Sequence, residues 1–444
     1  MNRTSILFVS LCLCGLLNPR HEVRAENWPQ WRGPGHNGVS RETGLPVAWS
    51  ETSGVVWKCP LEPWGTSTPA IWGDAIFVTT HVDDQRLVLV KVSKKTGRIE
   101  WTRQVGEGSA ARAAGSLKAR SERGRQHFNP THNLATPSPV TDGQLVVVHF
   151  GNGELAAYDF AGKRLWRRNL QEDFGPFTIW WGHANSPMLF QDLVISVCME
   201  DNCADLDEFK EKPFPSYLVA HDKRTGQLKW KTMRPTPARA EAADSYTTPL
   251  FGRHGDQMEM IVMGGLVLDG YDPATGRRLW YLPGLTGNRV ITGPVVAGGV
   301  VYFTQGMRQP VLAVKLGGRG RLPKSDILWE HRRATPDSPT PVVWGDLLFL
   351  VNESGIAQCL DTKTGKPHWE QRLKGDYRAS PLAAEGRIYF LNMKGLATVV
   401  AAWPNFEKLA ENQLDDATIA SPIVSDGRIF IRANKTLYCL GKSP

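Results

Sequence analysis

Leu218–Trp230 reads LVAHDKRTGQLKW: an apolar run ends in Asp, a Thr-Gly turn follows, and a tryptophan stands four residues after the glycine. A short apolar stretch, a glycine-bearing turn and a second stretch closing on a large aromatic is the pattern of two antiparallel strands and their hairpin. The same Gly, three residues, Trp pattern recurs in TGRIEW at Trp101, AGKRLW at Trp166, TGRRLW at Trp280 and TGKPHW at Trp369. Five occurrences make this a repeat, and a repeat has to be read before any single motif.

A second marker precedes each unit: a small or polar pair, a proline, then alternating apolar residues broken by a turn, as in SPTPVVWGDLLFLV from Ser338. Its prolines are Pro69, Pro139, Pro187, Pro249, Pro294, Pro341, Pro381 and Pro422, spaced by 70, 48, 62, 45, 47, 40 and 41 residues. Four short strands per unit match that spacing, with two insertions, and predict an all-β, eight-bladed propeller of four-stranded antiparallel blades. The fifth unit keeps Trp329 without its glycine, and the seventh, ATVVAAWPNFEKL, has lost the turn signature. The eighth ends at LYCLG with no outer strand, while SGVVWKCPL around Trp57 offers a tryptophan strand with no inner strands before it. Circular closure, with the N-terminal strand completing the last blade, resolves both loose ends and removes free sheet edges. Trp57, Trp101, Trp166, Trp230, Trp280, Trp329 and Trp369 are then structural, each wedged against the neighbouring blade with on the order of 200 Å² of aromatic surface.

The pattern resembles the PQQ-like (pyrroloquinoline quinone) repeat family of the quinoprotein alcohol dehydrogenase-like superfamily, eight-bladed propellers with a tryptophan-docking motif of the Ala-x-Asp…Thr-Gly-x-x-x-Trp type. The resemblance covers nearly all of 49–444 and extends to BamB-like exported propellers. It implies the fold far more strongly than an activity, because the family holds both quinone-dependent dehydrogenases and cofactor-free members. The opening WPQWRGPGHNGVS is similar to the start of exported members of the same repeat family.

Residues 1–25 read as a signal peptide: Arg3, the apolar run Ile6–Leu17, then EVRA with Val23 and Ala25 at small-residue cleavage positions. The run is twelve residues long, short of the roughly 20 that span a bilayer. The expected product is an exported protein, periplasmic or extracellular, monomeric and without a membrane span, with an N-terminal extension over 26–48 and one propeller over 49–444. Loss of the leader takes the formal charge from +8 to +6, with basic residues spread among acidic ones. Such a surface lacks the basic stripe that a nucleic-acid partner requires. Cys59, Cys198, Cys203, Cys359 and Cys439 remain, too few and too scattered for a disulfide framework. Register places Cys359 opposite His368 and, by analogy, Cys439 opposite Val56, about 10 Å along the strand from Cys59. That exceeds the ~7 Å Cα limit for a bridge, and leaves Cys198 with Cys203 as the only sequence-local pair.

Residues just ahead of the marker prolines are expected to rim the central channel. They form a polar crown: Trp64, His132, Asn133, Trp181, His183, Asn185, Tyr246, Arg289, Asp337, Arg378 and Asp416. The densest stretch is WWGHANSPML at Trp180–Leu189, which either assembles a reaction centre or merely begins a strand. Channel-lining backbone needs polar partners in any propeller, so His132 and His183 also suit simple hydrogen-bonded rim roles. Two charged insertions are expected on this face and would pair as a partial lid. One carries Arg112, Lys118, Arg120, Arg123 and Arg125; the other Glu200, Asp201, Asp205, Asp207, Glu208 and Glu211.

The sequence contains no haem-attachment, zinc-protease, nucleophile-elbow or phosphate-loop motif. Quinone enzymes of the family, by resemblance, hold PQQ with Ca²⁺, use an Asp base and cap the ring with adjacent cysteines. This chain has no Cys-Cys pair, and DNCADLD lacks the glycine and spacing of a calcium loop. The catalytic residues are therefore left unassigned. The expectation is a non-catalytic scaffold that binds a protein partner or a small polar ligand at its rim. The alternative is a divergent PQQ-dependent alcohol or sugar dehydrogenase with quinone and calcium near Trp181, His183 and Asn185.

Overall fold

The proline-led runs become the innermost strands. The residue before a proline is held in extended backbone, and near the axis only short strands fit, such as Ala70–Trp72 and Val342–Trp344. The computed structural model describes residues 26–110, 126–201, 203 and 216–442. The expected leader and most of both charged insertions lie outside them.

Among the described residues there are eight sheets in a ring. Blade 1 spans 70–107, blade 2 140–169, blade 3 188–233, blade 4 250–282, blade 5 295–331, blade 6 342–372 and blade 7 382–413. Blade 8 takes three strands from 423–440 and its outer strand from Val55–Pro60, which runs antiparallel to Thr436–Leu440. The expected closure is what the chain forms. Blade 4 departs from the four-stranded plan: Gly320–Arg321 adds a fifth strand, parallel to Trp280–Tyr281.

Burial follows from the stacking. A middle strand has a neighbouring blade on each face, so Leu145–His149 is buried at every residue. An outer strand such as Arg164–Asn169 faces solvent on one side, and its burial alternates. The tryptophans join successive blades. The indole N–H of Trp57 donates to Lys94 O at 3.0 Å, Trp101 to Phe160 O at 3.1 Å, and Trp166 to Lys223 O at 2.8 Å. Trp329 and Trp369 donate to Thr362 O and Trp403 O at 2.8 and 3.2 Å, again in the next blade. Three of these indoles cover the glycine of the next unit's turn, Trp57 at Gly97, Trp166 at Gly226 and Trp329 at Gly365, where a Cβ would lie 2.4 Å from the Trp329 ring. The glycine and the tryptophan of one repeat thus serve two different interfaces. Trp230 packs over Gly276 of blade 4 in the same way.

Trp280 is the exception. It is fully buried in its own blade, against Gly270, with its N–H on Glu259 Oε2 at 2.7 Å. Blade 7 has Ala410 at the tryptophan position, opposite Val399. There Trp49 supplies an indole from the N-terminal side, stacked on Tyr389 at 6.4 Å with its backbone N–H on Asn412 Oδ1. The cysteine register is one residue off the sequence expectation, since a bulge before the tryptophan places Cys359 opposite Trp369 and Cys439 opposite Trp57. Cys59 faces Leu437, and Cys59, Cys359 and Cys439 are buried thiols. Cys203 is also a thiol, with Sγ 3.9 Å from Asp201 Oδ2.

Candidate functional site

The N-terminal extension decides the shape of the channel. It crosses the ring at the far ends of the inner strands. Trp28 and Ile71 exchange backbone hydrogen bonds of 3.0 and 2.7 Å, Thr141 N donates to Pro29 O, and Ala383 pairs with Gly38 and Ser40. Glu42 accepts the N–H groups of Asp426 and Gly427 at 2.8 and 2.9 Å. Arg32, 3% exposed, donates to Pro381 O, Pro341 O and Asn37 O at 2.6 to 2.8 Å. Burial lowers its pKa to about 9, which still leaves it cationic at neutral pH. Trp31 fills the axis beside Gly293, where a Cβ would come within 3.1 Å of the indole. The channel is therefore stopped at this end and becomes a cup of about 400 Å³, floored by Trp31.

The expected crown divides in two. His132, Trp181, Tyr246, Arg289, Asp337 and Arg378 line the cup. Trp181 is fixed on three sides: its indole donates to Glu241 Oε1 at 2.8 Å, its backbone N–H to the Tyr246 hydroxyl at 3.1 Å, and its carbonyl accepts from His132 Nδ1 at 2.8 Å. Arg289 bridges Glu241 and Asp337, each at 3.4 Å. Burial pushes the Asp337 carboxyl above its ordinary range. Arg378 donates to Tyr377 O at 3.0 Å and has no carboxylate within 4.0 Å among the described residues.

The other five are not among the lining side chains. Asn133 is fully buried, donates to Trp64 O and accepts from Ala135 N. Trp64 exchanges backbone hydrogen bonds with His81. Asn185 ties blade 3 to Ser245 O and Thr247 O of the segment entering blade 4. His183 is fully buried between Phe177, stacked at 4.8 Å, and His149 at 4.6 Å, and burial holds its pKa well below the ordinary value. Asp416 accepts from Lys435 N at the end of blade 8. WWGHANSPML is thus mainly a strand entry: only Trp181, Ala184 and Ser186 from it face the cup.

Of the proposed lid, Arg112–Arg125 and Asp205–Glu211 lie outside the described residues. Glu200 and Asp201 are buried, and Glu200 accepts from Thr178 N and Ile179 N, which braces the loop leading to Trp180. Sequence reasoning missed Trp31 and the ring of serines and threonines directly before the marker prolines, although those hydroxyl residues are visible in the repeat itself.

The fold family implies a quinone held together with calcium, and calcium requires a cluster of oxygen donors. Among the described residues no three His, Cys, Asp or Glu side chains gather as a metal site. The cup's acid, Asp337, is bridged to Arg289, and Glu241 is bonded to Trp181, Asn288 and Arg289. Hard-cation binding needs several oxygens converging on one point, and these residues do not offer that.

The fold and site define an eight-bladed propeller with an axial cup stopped by its own N-terminal segment. The chain belongs to the family described as "Outer membrane protein assembly factor BamB", which matches residues 35–202 and 268–405. BamB from Moraxella catarrhalis is similar in structure at 13% identity and a TM-score of 0.58, over 87% of this chain and 97% of that one. A quinohemoprotein alcohol dehydrogenase from Comamonas testosteroni is similar at 14% identity and a TM-score of 0.65, over 94% and 81%. At such identities the likeness is one of fold. No curated protein matches the chain.

Proposed function

We propose that the protein is an exported, non-catalytic binding propeller that takes a small polar ligand into its axial cup. The observation that carries this reading is the cup itself: a cavity of about 400 Å³, with one end stopped by Trp31 and with walls locked by hydrogen bonds around Trp181. A site of that volume, with aromatic surface and a few fixed polar groups, is the common form of a small-molecule pocket. Export rests on the leader-like residues 1–25, and among the described residues no helix is long and apolar enough to cross a membrane.

The test is to incubate purified protein with a small-molecule extract, remove unbound material, denature and identify what is released by mass spectrometry. One small polar compound should be enriched by the wild type and lost in Ala184→Trp, which fills the cup from its wall. No enrichment in either protein overturns the reading. Dye reduction on any alcohol or sugar after addition of PQQ and Ca²⁺ overturns the non-catalytic half and favours a dehydrogenase.

A further inference from the structure

One residue per blade, the one directly before the marker proline, forms a ring around the axis. Thr68 N donates to Ser138 Oγ, Ser138 N to Ser186 Oγ, and Ser186 N to Thr248 Oγ1, at 2.9 to 3.0 Å. On the other side Gly293 N donates to Thr340 Oγ1, Thr340 N to Ser380 Oγ, Ser380 N to Ser421 Oγ, and Ser421 N to Thr68 Oγ1, at 2.9 to 3.3 Å. The ring breaks once, at Gly293 of blade 5, where the Trp31 indole takes the space. Thr68, Ser138, Ser186, Thr248, Ser380 and Ser421 line the cup.

A hydroxyl carries one proton and two lone pairs. Here each oxygen uses a lone pair on the preceding blade's backbone N–H, and among the described residues none of these hydroxyls donates its own proton to a protein acceptor. The depth of the cup is a circle of donors lacking acceptors. Charge favours the same occupant. Arg378 lines the cup, interacts through space with Asp337, which Arg289 already bridges, and among the described residues has no ion-pair carboxylate within 4.0 Å. Behind the wall two buried guanidiniums also lack one. Arg32 is bonded to the carbonyls of Pro341 and Pro381, immediately after two ring hydroxyls, and Arg432 to Ser67 Oγ and Thr79 O. Away from bulk water such charges act with little screening.

We propose that the cup is a receptor for a small organic oxyanion, a carboxylate or a phosphate ester on a hydroxylated body, bound anion-first with Arg378 as its charge partner. This rests on the cup being a ligand site. The hydroxyl ring takes the oxyanion oxygens, and Trp181 and Tyr246 flank the body of the ligand. A cavity of this size suits a molecule of about sugar-acid dimensions.

The test titrates the purified chain with glucuronate, glucose 6-phosphate, glucose and PQQ without calcium, by calorimetry and by tryptophan emission from the cup. Saturable binding of at least one of the two acids, with glucose at least tenfold weaker, is expected; which acid binds tells carboxylate from phosphate. Arg378→Gln should weaken the bound acid at least tenfold, while exposed Arg332→Gln leaves it unchanged. Ser138→Ala should weaken it at unchanged melting temperature, and if that variant melts lower, Arg378→Gln alone decides. Glucose binding as tightly as the acids overturns the oxyanion inference but leaves the cup reading standing. So does an Arg378→Gln titration equal to wild type. Binding of PQQ and of neither acid overturns it in favour of the cofactor. Failure of all four probes also overturns it, while the extract experiment judges the cup separately.

Discussion

Gly365→Ala isolates the tryptophan wedge. The substitution places a methyl 2.4 Å from Cε3 and 2.6 Å from Cδ2 of Trp329, closer than any carbon contact tolerates, and at a backbone φ of +69°. The left-handed conformation costs an alanine about 1–2 kcal/mol. Pushing a close-packed indole off its seat adds about 1–3 kcal/mol. Loosening the 2.8 Å bond from Trp329 Nε1 to Thr362 O removes about 1 kcal/mol more. The expected loss is therefore about 3–6 kcal/mol. Blade 6 contains its own control: Gly345, in the hairpin between Trp344 and Leu347, has φ +57° and nothing within 4 Å of a built Cβ. Gly345→Ala should cost only the backbone term, about 1–2 kcal/mol. Urea unfolding followed by tryptophan emission compares the two midpoints at equal slope. Equal losses for the two variants would refute the view that glycine and tryptophan of successive repeats are fitted to one another.

Three further expectations follow from the N-terminal segment and the buried histidines. Arg32→Ala removes three charge-assisted bonds to backbone carbonyls, at least ~3 kcal/mol in all; it should expose exposed-side Arg41 to tryptic cleavage at least tenfold faster, and equal cleavage rates would mean the segment is not held there. Gly293→Ser would complete the hydroxyl ring but meets Trp31 at 3.1 Å, so a loss of about 1–3 kcal/mol in chemical denaturation is expected, and a more stable protein would contradict it. His149 and His221 are buried, which lowers each to about 4, and burial holds His183 well below its ordinary value. Because the unfolded chain takes up these protons near pH 6.5 and the folded chain does not, stability is full above that pH and falls as pH drops toward 4, by up to ~1.4 kcal/mol per unit for each histidine. His149→Phe should flatten the decline between pH 6.5 and 5 in thermal unfolding; an unchanged slope would show that His149 takes no part in it.

The repeat was legible because its residues act locally or between nearest neighbours. A proline fixes the entry of an inner strand, a positive-φ glycine makes a turn, and an indole needs a gap one blade away, so the period, the blade count and the closure through Trp57 can be counted along the chain. The crown was half legible. Sequence position put Asn133, His183 and Asn185 at the same height as Trp181, Tyr246 and Arg378, but height does not fix which way a side chain turns. Asn185 turns to the backbone entering blade 4, and His183 turns to Phe177 and His149.

What the sequence by itself determined is the ring: eight units, their order, the glycine and tryptophan seams and the strand that shuts the circle. Only the tertiary structure decided that the channel is a cup. That depends on contacts between segments more than 300 residues apart, such as Arg32 with Pro341 and Pro381, which no periodicity encodes. It decided the donor ring for the same reason, since a hydroxyl before a proline acquires its partner only when the neighbouring blade brings a backbone N–H to it.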